Sequence, residues 1–330
     1  MAQSYSRTSL GILPRAREAL TLYRLQSANV QVQVAKFLQH MKEHQVTIER
    51  HLGAPLRDKL IFEIGPGQLL KNARFFGACN RVIAVDLDEI VSAWDMSAWL
   101  KMLHKNGPLR VAKTLARKVA GIDRSFLKEL ARQMPASVGP RIQVLQRDAA
   151  DSGLESGSFD CAVSFSVFEH LPEPRRVFRE IVRLLRPGGV GFHILHCFTS
   201  DSGAHDVRSY FIERSNLPYW CHLRPDKAHL VSTNAYLNRL RIDEWKKLII
   251  EELPGAEIVD IVQWRYPRLV QELKNLRGAG ELKEYSDEEL MTVCLQVSWV
   301  RPELLHAHGR PELLHAHHSE EVRTCSSAVS

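Results

Sequence analysis

A short apolar run at residues 60–67 ends in two glycines and reads Leu60-Ile61-Phe62-Glu63-Ile64-Gly65-Pro66-Gly67. An apolar run of this length, bounded by turn residues, is typical of a strand buried inside a sheet. A helical pattern follows from Leu69 to Phe76, and a second apolar run, from Arg81 to Asp86, ends in an acid. The order strand, glycine turn, helix, strand predicts the first βαβ unit of a parallel sheet.

The same alternation continues along the chain and predicts an α/β fold with an open sheet covered by helices on both faces. The turn residues Arg186 to Gly189 are expected to precede the fifth strand. Further strands are predicted at Arg141–Leu145, Phe159–Phe165, Gly191–Leu195, Glu257–Val262 and Thr292–Val300, and helices at Glu173–Leu185 and Ile242–Leu253.

Three regions are distinguished by their patterns. Residues 1–56 predict a helical extension, with one long helix from about 15 to 50. Residues 57–300 form the main domain, which carries a helical insertion at about 89–138 and a second insertion at about 197–245. Residues 301–330 hold two copies of an eight-residue repeat, and two such short copies predict a disordered tail rather than a solenoid.

The charge of this 330-residue chain is concentrated in the first insertion. The formal net charge is +6. The stretch between Lys101 and Arg147 contains eleven Lys or Arg residues and only two acids. A local basic surface favours an anionic acceptor or peripheral contact with a membrane surface, and a solvated helix face remains the alternative. The composition, 45% hydrophobic and 25% charged, excludes a disordered or collagen-like chain.

The sequence also predicts a cytoplasmic protein with reduced cysteines. No apolar run is long enough to span a membrane, and the N-terminus lacks the apolar stretch of a signal peptide. The six cysteines form no C-x-x-C pair, so no metal site is predicted from them. Five histidines in the tail could bind a metal ion, but local duplication is the favoured reading of that repeat.

The glycine turn and the following acid favour an adenosine-containing cofactor. Glycines let a ligand approach the backbone, and Asp86 can accept hydrogen bonds from both ribose hydroxyls. A dinucleotide fingerprint requires a third glycine where Leu70 stands, so S-adenosylmethionine is the competing candidate. A tight turn without a ligand is the third alternative.

Four stretches decide between these alternatives: Glu63–Gly67, Asp86, Asp148-Ala149, and Ser164–Leu171 followed by Leu185–Gly189. In this order the chain from about Lys59 to Leu195 resembles the class I S-adenosylmethionine-dependent methyltransferases, especially the small-molecule group called type 11. Leu69 departs from the family's usual third glycine.

The resemblance implies a Rossmann-like, seven-stranded, mostly parallel sheet with an antiparallel last strand. It also implies S-adenosyl-L-methionine as the cofactor. The residues expected to bind it are Glu63, Gly65, Gly67, Gln68, Asp86, Leu87, Asp148, Ala149 and Ser164.

Methyl transfer is an in-line displacement at a sulfonium carbon, so the protein must mainly hold the nucleophile and the methyl group in line. A hydroxyl nucleophile also has to lose its proton, for which histidine is the usual base. We favour His196 and His205 as catalytic residues because they follow the fifth strand, with His170 and His193 as alternatives. A structural role is the competing reading for each histidine.

The predicted reaction is methylation of a small molecule, on a hydroxyl of a saccharide, glycolipid or secondary metabolite. Residues Tyr236 to Trp245 are similar to a segment of methyltransferases from surface-polysaccharide or secondary-metabolite pathways, although packing around Trp245 would explain them equally. A nucleic-acid methyltransferase is an alternative, disfavoured because Ser164 to Val167 is not the motif used on base amino groups. A non-catalytic binding protein with the same fold is the other alternative.

Overall fold

The computed structural model describes residues 29–90, 99–100, 103–104, 122–134, 141–210, 217–233 and 235–303, together with residues 96, 111, 115 and 214. Its helices are α1 (Val30–Leu52), α2 (Lys71–Gly77), α3 (Ile122–Gln133), α4 (Pro174–Leu184), α5 (Ile242–Glu252), α6 (Pro267–Gly278) and α7 (Asp287–Met291). Its strands are β1 (Leu60–Ile64), β2 (Arg81–Asp86), β3 (Arg141–Gln146), β4 (Phe159–Phe165), β5 (Leu185–His196), β6 (Glu257–Val262) and β7 (Thr292–Val300).

The seven strands form one sheet in the order β3-β2-β1-β4-β5-β7-β6. The first five strands of the chain run parallel, and β7 lies antiparallel between β5 and β6. This confirms the predicted Rossmann-like sheet with an antiparallel last strand. The carboxyl ends of β1, β2, β3, β4 and β5 lie at one edge of the sheet, which is where open α/β sheets bind ligands.

The fifth strand begins six residues before its predicted start, since β5 starts at Leu185 rather than Gly191. The predicted turn at 186–189 therefore lies within the strand, beside an irregular register between Phe159 and Cys161. A Cβ atom on Gly189 would lie 2.8 Å from the carbonyl oxygen of Arg186, so only glycine fits this close backbone contact. The glycine that indicated a turn permits an irregular strand instead.

Helices cover both faces of the sheet. On one face, Met41 and Ile48 of α1 pack against Ile61, Val82 and Phe192 of the sheet. The opposite face is packed by α4 and α5, whose buried residues include Phe178, Ile181, Trp245 and Ile249. The strand ends are thus fixed on a rigid, two-sided core.

The regions around this core are described only in part. The predicted helix at 15–50 is observed from Val30 to Leu52, and its earlier part lies outside the described residues. Within the basic insertion α3 is described, and it packs on α1 through Leu130 against Val34 and Leu38. The predicted tail lies outside the described residues from 304 onward. No helix within the described ranges is long and apolar enough to cross a membrane.

Candidate cofactor and acceptor site

The turn after β1 brings two glycines to the ligand-binding edge. Gly65 and Gly67 have φ angles of 63° and 65°, a conformation that favours glycine. The Gly65 N–H donates to the carbonyl of Val85 at 2.9 Å, which ties the turn to the end of β2. A Cβ on Gly65 would meet the Val167 side chain at 2.7 Å, whereas a Cβ on Gly67 would meet nothing within 4 Å. Gly67 thus leaves open space beside the backbone.

The carboxyl group of Glu63 is buried directly before this turn. Glu63 is 1% exposed, and its Oε2 has no hydrogen-bond partner among the described residues. Burial raises the pKa of Glu63 to about 8, and a hydrogen bond with Asn72 offsets only part of that rise. A buried carboxyl oxygen without a partner fits a ligand that carries a positive charge.

Two more acids stand at the ends of the neighbouring strands. Asp86 ends β2, and its Oδ1 accepts a hydrogen bond from the N–H of Asp88 at 2.9 Å. The N–H of Arg147, directly after β3, donates to the Asp86 carbonyl at 3.0 Å and so joins the ends of β2 and β3. Asp148 follows, and its Oδ1 accepts from the N–H of Ala150 at 2.8 Å. The acids are therefore held in short turns at one edge of the sheet.

The other predicted cofactor residues lie in the same turns. The Gln68 Nε2 donates to the Glu89 carbonyl at 3.4 Å, and the Gln68 Oε1 is buried without a partner in the described ranges. Gln146 donates to the carbonyl of Leu87 at 3.0 Å, which holds the turn after β2. Ala149 is 7% exposed, beside Asp148. The structure brings these residues together, and their contact with a cofactor stays a prediction.

Ser164 is placed differently from the others. It is fully buried in β4, and its hydroxyl lies 2.9 Å from Nδ1 of His193. His193 is itself fully buried, edge-on to Phe168, and burial lowers its pKa to about 3. The Ser164 hydroxyl is thus engaged in the core, and His193 is the most deeply buried of the candidate bases.

The residues present fit S-adenosylmethionine. Its ammonium group matches the unpaired Glu63 oxygen, its ribose hydroxyls match a carboxylate at the end of β2, and the open space at Gly67 admits a ligand against the backbone. The donor set consists of carboxyl groups at three adjacent strand ends. Carboxyl oxygens complement the ammonium and sulfonium groups of this cofactor better than they complement a pyrophosphate.

The two favoured histidines meet at the ends of β4 and β5. His196 ends β5, and its Nε2 lies 2.9 Å from the Ser202 hydroxyl. His205 follows in the next loop, with its ring centroid 4.6 Å from that of His196. Both approach Glu169, whose Oε1 lies 3.8 Å from Nε2 of His205. We call Glu169, His196 and His205 the Glu–His cluster.

Burial governs the protonation of the Glu–His cluster. It raises the pKa of Glu169 to about 8, which hydrogen bonds from backbone N–H groups offset only in part. It lowers the pKa of His196 to about 4 and that of His205 to about 2, and the neighbouring histidines lower both further. The two imidazoles are therefore neutral at neutral pH, and they are weak proton acceptors.

A distant segment of the second insertion fixes Glu169. The Asn238 side chain donates to the carbonyls of Phe168 and Leu171 at 2.8 and 3.1 Å, and its backbone N–H donates to the Glu169 carbonyl at 2.9 Å. His170 is held in the same way, with its Nδ1 2.8 Å from the Tyr236 carbonyl. Residues 236–238 thus position the turn that carries Glu169.

Glu169 is the residue that sequence reasoning did not select. It stands beside His170 in the motif after β4, but no local pattern distinguishes it from a surface acid. The signal that would have found it is the sheet order, because β4 pairs with β5 and so brings their ends together. The predicted packing of Trp245 is observed as well, since this residue is 1% exposed in the core.

Known proteins that match this chain include methyltransferases and an uncharacterised protein. A methyltransferase domain family matches residues 105–192. A ubiquinone biosynthesis O-methyltransferase of Escherichia coli is 24% identical over 176 residues, which cover 38% of this chain and 72% of that enzyme. An uncharacterised 37.1 kDa transposon protein of Streptomyces fradiae is 37% identical over 84 residues, 25% of this chain and 24% of that protein.

Among solved structures, the phosphoethanolamine N-methyltransferase 2 of Haemonchus contortus in complex with S-adenosyl-L-methionine is similar. It has a TM-score of 0.41 and 15% identity, and the match covers 79% of this chain and 53% of that one. The chain therefore spans about a quarter of the transposon protein and about half of the Haemonchus enzyme.

The sheet order and the methyltransferase domain family that matches residues 105–192 agree with what the motifs predict for a class I S-adenosylmethionine-dependent methyltransferase.

Proposed function

We propose that this protein transfers a methyl group from S-adenosylmethionine to a hydroxyl of a small molecule. The observation that carries the proposal is the arrangement at one sheet edge. Buried or strand-end acids at β1, β2 and β3 fit the cofactor, and the Glu–His cluster stands at the ends of β4 and β5. Val167, which contacts Gly65, lies two residues before Glu169, so the two halves of the site adjoin.

An oxygen acceptor is supported by two independent facts. A hydroxyl must lose its proton during transfer, which calls for the kind of polar cluster found beside the cofactor residues. A matched relative is an O-methyltransferase by name. We extend the proposal to a hydroxyl on a saccharide, a glycolipid or a secondary metabolite, consistent with the polar residues of the second insertion.

The cofactor-site residues and the Glu–His cluster have different roles in the proposed reaction. The bound cofactor supplies an electrophilic methyl group on a sulfonium that leaves as a neutral thioether. The acids at the strand ends hold the ribose and the ammonium group, and the turn at Gly65 to Gly67 admits the ligand. The Glu–His cluster binds the acceptor oxygen beside the methyl group. Holding the reactants in line at contact distance supplies most of the acceleration.

The proposal is tested by incubating the full chain with methyl-labelled S-adenosylmethionine and a panel of matched acceptors. Pairs that differ only in carrying a hydroxyl or an amine report the acceptor atom. We expect label on hydroxyl compounds, as an ether that resists mild acid. Label on amines alone, or label recovered only in RNA or DNA, would contradict the proposal.

A further inference from the structure

The Glu–His cluster has the geometry of an empty coordination site. One donor atom from each of Glu169, His196 and His205 lies within 4.8 Å of the other two. Glu169 is 2% exposed, and neither of its carboxylate oxygens has a hydrogen bond of normal geometry to a described residue. The Nε2 of His205 is buried and also lacks such a partner. Buried polar atoms are normally paired, so this concentration of unpaired atoms calls for a ligand.

We propose that Glu169, His196 and His205 bind a divalent transition-metal ion of the zinc type. Two imidazoles and one carboxylate are a donor set that zinc and its first-row neighbours prefer. Three protein ligands leave one position open, as catalytic zinc sites do. A contraction of the three donor atoms toward one centre would complete the site.

The backbone around the cluster is arranged to hold it. His205 has a φ of 56°, a left-handed conformation that non-glycine residues rarely adopt and that concentrates at ligand-binding positions. Its N–H donates to the carbonyl of Ser202 at 2.9 Å, and the hydroxyl of Ser202 contacts the His196 ring. Such outer contacts orient the ligands of a metal ion.

Contacts between Glu169 and the neighbouring histidines do not account for the unpaired polar atoms of the Glu–His cluster. The nearest imidazole nitrogens, Nε2 of His205 and Nε2 of His170, lie 3.8 and 3.9 Å from the Glu169 Oε1, which is too far for a hydrogen bond. A divalent cation instead neutralises the carboxylate while both ligand imidazoles stay neutral. Neutral imidazole is also the form that coordinates metals.

The role of the ion rests on the proposed methyl transfer. The acceptor hydroxyl takes the open position, its pKa falls, and its proton passes to solvent. The oxygen then forms a bond to the methyl carbon while the carbon–sulfur bond breaks, and that electron pair stays on sulfur. This sequence removes the need for a strongly basic imidazole.

The test uses the full chain, in a background where His306, His308, His315, His317 and His318 of the repeat tail are changed to Ala. This background removes the tail as a competing ligand. After treatment with a chelator, the protein is titrated with Co²⁺, followed by its visible absorption, and with Zn²⁺, followed by calorimetry. We expect one ion per chain and a rise in the unfolding temperature with metal.

Variants assign the site within that background. Glu169→Gln and His205→Gln keep side-chain size and should weaken Co²⁺ and Zn²⁺ binding at least tenfold, whereas His229→Ala, at an exposed histidine outside the cluster, should leave it unchanged. Circular dichroism shows whether each variant is folded. The metal titration of the protein with an intact Glu–His cluster tests binding even if a cluster variant fails to fold.

Absence of stoichiometric binding in the parent would overturn the proposal, as would unchanged binding in both cluster variants. Cofactor affinity, measured in parallel on the chelated protein, separates the two claims. A chain that binds S-adenosylhomocysteine but no metal would retain the proposed function and lose the metal site.

Discussion

At the scale of single residues, Gly65 and Gly67 have the same backbone conformation but different surroundings. Replacing either with Ala places a side chain in the left-handed region, which costs about 1–2 kcal/mol. Gly65→Ala additionally drives a Cβ into Val167, for which overpacking adds about 1–3 kcal/mol. We expect urea denaturation to show a larger loss of unfolding free energy for Gly65→Ala than for Gly67→Ala.

The double variant Gly65→Ala/Val167→Ala is the control for this pair. Truncating Val167 removes the contacting methyl groups, so it should restore part of the stability lost in Gly65→Ala. Equal losses in the two glycine variants, or no recovery in the double variant, would show that the turn does not pack as described.

At the same scale, the residues of the candidate cofactor site were largely predictable. Glu63 lies inside an apolar run, Asp86 ends one and Asp148 follows one closely, so their position at or near strand ends can be derived from the sequence alone. The burial of the Ser164 hydroxyl against His193 could not be derived from the sequence, because it depends on contact between β4 and β5. Glu169 was missed for the same reason.

At the scale of elements, the segment 236–238 supports the turn after β4. Asn238→Ala removes two hydrogen bonds to backbone carbonyls, and we expect the unfolding free energy to fall by about 2 kcal/mol. The methyl-transfer rate should fall as well because Glu169 loses its support, while S-adenosylhomocysteine affinity should hold because the cofactor residues lie on other strands. Chemical denaturation, a transfer assay and calorimetry give the three values.

Asn275→Ala is the matched control, since this exposed asparagine of α6 accepts only a surface hydrogen bond from Gln271. It should leave all three values unchanged. If Asn238→Ala lowered rate and cofactor affinity in parallel, the segment would act on the whole fold rather than on the Glu–His cluster.

Strands and helices were predictable where an apolar run met a clear boundary. The bounds of β1, β2, β4, β6 and β7 agree with their predictions because a polar or glycine residue ends each apolar run. The predicted start of β5 was wrong because Pro187, Gly188 and Gly189 are turn residues by type. Only the pairing of Leu185 and Val190, on either side of them, with β4 shows that they lie within a strand. Pairing partners far apart in sequence are not encoded in a local pattern.

At the scale of the whole molecule, buried ionisable groups set the pH dependence of stability. Burial lowers the pKa of His44 to about 4 and that of His193 to about 3, so between those values and pH 6.5 the unfolded chain binds more protons and stability rises with pH. Glu63, with its pKa raised to about 8, holds a proton that the unfolded chain has released above pH 4.5, so it makes stability fall with pH.

Below pH 6.5 the buried histidines outnumber the two buried acids with raised pKa values, Glu63 and Glu169, and above pH 6.5 the acids make stability fall. We therefore expect maximal stability of the metal-free protein near pH 6.5, with a fall of about 2 kcal/mol from Glu63 between pH 6.5 and 8. Urea denaturation across this range measures it, and Glu63→Gln should remove the part of the fall that Glu63 contributes. A steady rise in stability up to pH 8 would show that Glu63 is ionised in the folded protein.

The charge of the chain also belongs to this scale. Eleven basic residues and two acids lie between Lys101 and Arg147, and nine of those basic residues belong to the first insertion. Most of that insertion lies outside the described residues, so its contact with an anionic acceptor or a membrane surface stays a prediction.

The central claim is that the glycine turn and the strand-end acids bind S-adenosylmethionine, and calorimetry with S-adenosylhomocysteine tests it most directly. We predict one site per chain with micromolar affinity. Asp86→Ala should weaken binding more than about tenfold because two hydrogen bonds to the ribose are lost, while Asp226→Ala, at an exposed acid, should bind normally. No binding to the wild-type chain, or equal affinity in Asp86→Ala, would contradict the account.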